Sequence, residues 1–177
     1  MKRTIPTAKL LAEDANRLCM LCGDEERQYR RLLRLAWRQN RYLRQQDTDR
    51  LAENTHQWQK YFPAADAARR RRERCVAHVA ENLGIFPALT SPLQLLDYAD
   101  LQVKRQVRDS VQELLSITTR LARQNELNRQ LAAFCIELTQ EEAEIFKRCV
   151  LDDPAGCYDG TARPTTNGPG GVLERQA

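Results

Sequence analysis

At 177 residues the chain has the length of one domain with room for a sizeable core. Aromatic residues are only 6% of it and charged residues 29%, with 7 glycines and 7 prolines, a balance that suits a helical bundle and argues against a compact α/β enzyme. The formal charge of +4 is carried unevenly: Arg27, Arg30, Arg31, Arg34, Arg38, Arg41 and Arg44 lie on the first long segment, and Arg69 to Arg72 with Arg74 form a run on the second. Such arginines are either a solvated helical face or a contact for nucleic acid or an acidic partner. No apolar run approaches the roughly 20 residues that a membrane span needs. Met1-Lys2-Arg3 has no hydrophobic region behind its charges, so no signal peptide is expected. With nothing arguing for export, the 6 cysteines are expected to remain thiols.

The first element is expected from about residue 7 to 46. Leu11, Ala15, Leu18, Cys22, Tyr29, Leu32, Ala36 and Leu43 keep a period near 3.5, the seam of a coiled-coil-like helix. Gly23 lies inside it and costs roughly 1 kcal/mol relative to alanine, which marks a weak turn. Asp47-Thr48-Asp49 reads as a turn or helix N-cap, because short oxygen-bearing side chains satisfy the free amides of a first turn.

A second helix is expected over 48–83, with Leu51, Trp58, Phe62, Val76 and Val79 facing inward. Pro63 removes one amide donor and clashes with the preceding turn, so a kink or short break is expected there. Gly84 stops the helix and Pro87 keeps it from resuming. Ser91-Pro92-Leu93-Gln94 then reads as a capping box with proline in the first turn, opening a short helix over 92–98.

From Asp100 to Val150 the chain carries no proline or glycine. Val103, Val107, Val111, Leu114, Ile117, Leu121, Leu131, Cys135, Leu138, Ile145 and Cys149 recur three and four apart, which keeps one stripe on a helix about 75 Å long. A stripe that long needs partner helices, from this chain or another. Asn125 and Asn128 fall near its seam, where polar residues lower stability but set register, unless one of them points to solvent. After Asp152 the composition turns Gly/Pro-rich with almost no apolar residues, and a segment of that kind cannot bury enough surface to offset its ordering entropy. The expected fold is therefore all-α: an elongated antiparallel bundle or coiled-coil-like hairpin with a long C-terminal helix, one domain over 1–151, and a disordered tail over 152–177.

Residues that would carry chemistry are sparse. Cys19 and Cys22 with Cys75 and His78 offer the ligand types of a structural zinc site, each pair at i, i+3 on a helix. Zinc pairs usually sit on tight turns, and Cys22 already serves the seam as a small hydrophobe, so no metal or other cofactor is expected. His56 and His78 are the only histidines, and no phosphate loop or nucleophile elbow accompanies them, so no enzymatic activity is expected.

The run from Leu121 to Leu131 (Leu-Ala-Arg-Gln-Asn-Glu-Leu-Asn-Arg-Gln-Leu), continued by a helical stretch and closed by Tyr158-Asp159-Gly160, resembles the flagellar export chaperones of the FlgN family. Leu32-Leu33, Leu43, Asp47 and Leu51 are similar in order to that family's first hairpin, and Leu83-Gly84 with Ser91-Pro92-Leu93-Gln94 to its connection into the third helix. The chain departs from the family at Asn40, where glutamate is frequent, at Gln57, where lysine is common, and at Pro63, which interrupts a helix that is usually continuous. The resemblance, over about residues 10 to 160, implies a cytoplasmic, non-enzymatic chaperone of the type III export system. Such a chaperone binds the hook-associated proteins of the hook–filament junction, prevents their premature assembly and delivers them to the export gate. It implies client binding through the C-terminal part, for which Ile136, Leu138, Ile145, Phe146, Val150 and Leu151 are the candidates, and gate docking through Tyr158. Asn125, Asn128 and Leu131 carry the family motif. A nucleic-acid-binding or scaffold coiled coil using Arg69–Arg74 is the alternative, and a zinc-stabilised adaptor stands third.

Overall fold

The computed structural model describes residues 10–87 and 90–150. Three α-helices carry nearly all of it: α1 (Ala12–Arg44), α2 (Thr48–Asn82) and α3 (Leu101–Val150), with a short 3-10 turn, Gln94–Tyr98, before the last. Among the described residues there is no strand. The protein is all-α, a helical hairpin with a long C-terminal helix. The described residues divide into two compact units, one up to residue 129 and one from residue 130.

Local sequence sets each helix end. The last turn of α1 closes with Gln46 N–H on the Leu43 carbonyl (3.2 Å) and Asp47 N–H on the Tyr42 carbonyl (3.0 Å), and Gln46 takes a left-handed φ of 51° to allow it. One residue on, the Asp47 carboxylate accepts from Arg50 N–H at 3.0 Å and starts α2. At the far end of α2, Gly84 N–H reaches Glu81 O at 3.0 Å and Ile85 N–H reaches Ala80 O at 2.8 Å. That pair of bonds needs the φ of +69° found at Gly84, a conformation that glycine adopts without penalty. Ser91 and Gln94 close the expected capping box, with Ser91 N–H donating to Gln94 Oε1 at 2.6 Å and Gln94 N–H to Ser91 Oγ at 3.4 Å. Asp100 Oδ1 accepts from Val103 N–H at 2.9 Å and opens α3.

Several expected details differ. Helix α1 begins at Ala12, not near residue 7, and ends at Arg44. Leu10 precedes it, buried, its N–H bonded to the Tyr98 carbonyl at 2.9 Å, while Leu11 is exposed as the helix N-cap and not a seam residue. Helix α2 runs through Pro63 without a break, and the proline lies on an exposed face. Phe62 beside it is exposed, not inward. The element before α3 is a 3-10 turn starting at Gln94 and not an α-helix from Pro92. Gly23 lies inside α1, which is continuous, as expected.

In the first unit the helices run up, down, up. Asn54 of α2 meets Leu35 of α1, and Arg72 meets Glu25, so residue numbers fall as the partner's rise and the pair is antiparallel. Gln106 of α3 meets Asn16 of α1, Arg120 meets Trp37 and Asn128 meets Ala36, so α3 is parallel to α1. The connector between Gly84 and Asp100 makes this possible by carrying the chain back to Leu10, and its Leu95 and Leu96 are buried in the core. Val103, Val107, Val111, Leu114, Ile117 and Leu121 of α3 pack into the same core as Leu18, Leu32, Val76 and Val79. Each such side chain contributes roughly 1.5–3 kcal/mol by leaving water.

Candidate functional site

Along α3 the burial changes character while the spacing does not. Val107, Leu114, Leu121, Asn128, Cys135 and Cys149 repeat at multiples of seven, and Ile117, Leu131, Leu138 and Ile145 follow the companion position. As far as Asn128 these residues are buried; Leu131, Cys135 and Leu138 are half-buried; Ile145 and Cys149 are exposed. Phe134, Ile145 and Phe146 stand 60%, 60% and 62% open to solvent. The seam thus continues in register while its cover falls away, from buried to half-buried to exposed.

Of the candidate client residues, Leu138 and Ile145 lie on this seam, Phe146 flanks it, and Ile136, also exposed, falls away from it by the helical period. Leu127 and Phe134, seven residues apart and both exposed, line the seam's other flank and were missed in the sequence reading. Their spacing was the available signal. The side chain of Val150, and Leu151 and Tyr158 entirely, lie outside the described residues.

The two asparagines separate cleanly. Asn125 is exposed, whereas Asn128 is 3% exposed in the α1–α3 interface. Asn128 Nδ2 donates to the Ala36 carbonyl at 2.7 Å and to Gln39 Oε1 at 2.9 Å; its Oδ1 accepts from Asn40 Nδ2 at 2.9 Å and Gln124 Nε2 at 3.0 Å. Both donor hydrogens and both acceptor positions of the amide are used. Asn40 is therefore a partner of the motif residue. On α2 the buried Asn54 makes a similar contact, donating to the Leu35 carbonyl at 3.2 Å.

The arginine run is largely spoken for. Arg69 reaches Asp66 at 2.7 Å and Glu73 at 2.9 Å, and Arg70 reaches Asp66 at 2.8 Å. The Arg69 hydrogen bond, against a little desolvation, holds the Asp66 carboxyl below its ordinary range. Arg72 turns inward to Glu25, which is only 2% exposed, with Nε 2.6 Å from Oε2. Burial opposes the Arg72 charge, but the hydrogen bond and charge of Glu25 outweigh it and raise its pKa. Burial and the adjacent Glu25 carboxylate push the Tyr29 phenol up to about 12. The spacing 18, 22, 25, 29, 32 places Glu25 on the α1 seam, but a carboxylate is invisible to an apolar pattern.

Cys22 and Cys75 are buried, Cys19 is half-buried and His78 is exposed, within 3.3 Å of Asn82 Nδ2. Burial pushes the Cys22 thiol up to about 12, and also raises that of Cys75, which disfavours the thiolate a metal needs. Among the described residues no group of three or more His, Cys, Asp or Glu is placed to hold a metal ion. Among the same residues no helix is long and apolar enough to cross a membrane.

Compared with known families, residues 14–165 match the family model described as FlgN protein, which is most of the chain. No curated protein and no solved structure matches it.

Proposed function

The chain belongs to the FlgN family of flagellar export chaperones, and on that premise we propose that its clients are the hook-associated proteins of the hook–filament junction, held on the C-terminal stretch of α3. The observation that supports this is the seam described above: the heptad spacing that buries Leu114 and Leu121 in the core continues through Leu131 and Leu138, which are half-buried, to Ile145, which is exposed. A client's amphipathic helix laid along that seam would bury the same kind of surface that folding buries upstream. Phe134 and Phe146 flank the seam and add aromatic area, the side-chain type that most often anchors an interface. Val150 and Leu151 extend the proposed surface. Tyr158 is proposed as the contact with the export gate's cytoplasmic domain, through which the loaded chaperone delivers its client before assembly can begin.

The test is the double variant Ile145→Asp/Phe146→Asp in a binding titration with a hook-associated protein. Both side chains are exposed in the free protein, so the expected outcome is lost client binding with unchanged helicity by circular dichroism. Each well-packed apolar side chain is worth about 1 kcal/mol or more at such an interface. Unchanged client affinity would remove the stretch from the site, and loss of helicity would place both residues in the protein's own core.

A further inference from the structure

A cleft of about 340 Å³ lies between α1 and α2, lined by Arg31, Arg34, Arg38 and Leu35 from one helix and Gln57 and Tyr61 from the other. Upstream on α1, Arg27 and Arg30 each have a carboxylate beside them, Asp24 and Glu26. From Arg31 to Gln46 the chain carries no Asp or Glu. Among the described residues no carboxylate pairs with Arg34 or Arg38, and Arg31 touches only the amide of Gln28, at 3.4 Å. Lys60, 6.0 Å from the centre of the Tyr61 ring, adds a fourth positive charge at the edge.

We propose that this cleft is a second binding surface, which takes a carboxylate-bearing helix of a protein partner. The three arginines follow one another at i, i+3 and i+7, two helical turns or about 10 Å. A partner helix with glutamates or aspartates at the same spacing sets each carboxylate opposite one guanidinium. Arginine's planar fork matches a carboxylate with two parallel hydrogen bonds, which a lysine cannot do. Tyr61 and Leu35 give the methylene stems of those acidic side chains an apolar floor. Nucleic acid fits less well. The cleft offers four cations over a short span, and Arg69, Arg70 and Arg72, the residues that would extend a phosphate track, already hold Asp66, Glu73 and Glu25.

The probe is a fluorescein-labelled alanine-based helical peptide with glutamates at i, i+3 and i+7, titrated with the full-length protein and followed by anisotropy. The wild type is expected to bind it, more weakly as salt rises, and not to bind the same peptide with glutamines. Arg31→Gln/Arg34→Gln/Arg38→Gln should lower the affinity about tenfold or more, whereas Arg71→Gln/Arg74→Gln should leave it unchanged. Ile145→Asp/Phe146→Asp should also leave it unchanged, which separates this surface from the client site. If the triple variant misfolds, Arg34→Glu alone decides: its lost binding should return with a peptide whose central glutamate is lysine. Equal affinity of wild type and triple variant, or absent rescue, overturns the proposal. So does a single-stranded oligonucleotide that binds more tightly than the peptide and loses its affinity in the same variant.

Discussion

Replacing Glu25 with alanine would leave Arg72 only its longer contact to Glu73, at 4.0 Å, in a site where 16% of the arginine side chain reaches solvent. The expected cost of Glu25→Ala is about 3 kcal/mol, because a poorly paired buried charge costs far more than the pair itself gains. Urea unfolding of the two proteins measures it, and a cost below that of an exposed ion pair would show that water reaches Arg72. The neighbouring acids titrate in the opposite part of the scale. Cys22 has its thiol pushed from an ordinary 9.0 up to about 12, and Tyr29 its phenol from 10.0 up to about 12. In both cases the folded state holds the proton more tightly than the unfolded chain. Their contribution is therefore intact below pH 9 and is lost as pH climbs towards 12. The melting temperature is expected to fall across that window, and Cys22→Ala to flatten the fall; an identical alkaline slope in the variant would exclude Cys22 as a source.

Helix existence, type and most ends were legible in the sequence because each rests on local chemistry: Asp47, Gly84, the Ser91–Gln94 box and the proline-free run after Asp100 act within one turn. The α1 and α3 stripes were legible for the same reason, since a period near 3.5 is a property of the chain alone. What could not be read was placed by the partner helix. Phe62 satisfies an apolar pattern and faces water; Glu25 and Asn54 break the pattern and are buried, because Arg72 and the Leu35 carbonyl happen to meet them there. Asn125 and Asn128 looked alike from the sequence, and only the position of Asn40, Gln39 and Ala36 on α1 tells them apart. The contrast yields a measurable difference. Asn128→Ala should destabilise the protein by about 1–3 kcal/mol, since it strips partners from buried polar groups. Asn125→Ala, on an exposed face, should stay within about 0.5 kcal/mol of the wild type. Equal unfolding midpoints for the two variants would deny Asn128 its structural role.

At the scale of the whole chain, the core and the two proposed surfaces are carried by different parts of few elements. The α1–α2–α3 core occupies the first unit, the proposed client seam lies on α3 in the second, and the proposed arginine surface belongs to the hairpin. The proposed client surface is made of apolar residues that a globular enzyme would have buried, and an apolar surface carries no acid–base pair or ligand cluster to mark it. The parallel course of α1 and α3 has a further consequence, one of timing. Contacts such as Glu25–Arg72 and Leu35–Asn54 join residues 47 and 19 apart, while the hydrogen bonds of α3 with α1 join residues 88 to 92 apart. Because the cost of closing a loop grows with its length, the hairpin is the cheaper structure to form and α3 the later arrival. A nascent chain can complete its α1–α2 interface once Asn82 has emerged from the ribosome, while the core face that Val103–Leu121 will cover waits for a helix still emerging. A protein that shields others during their passage thus spends part of its own synthesis unshielded.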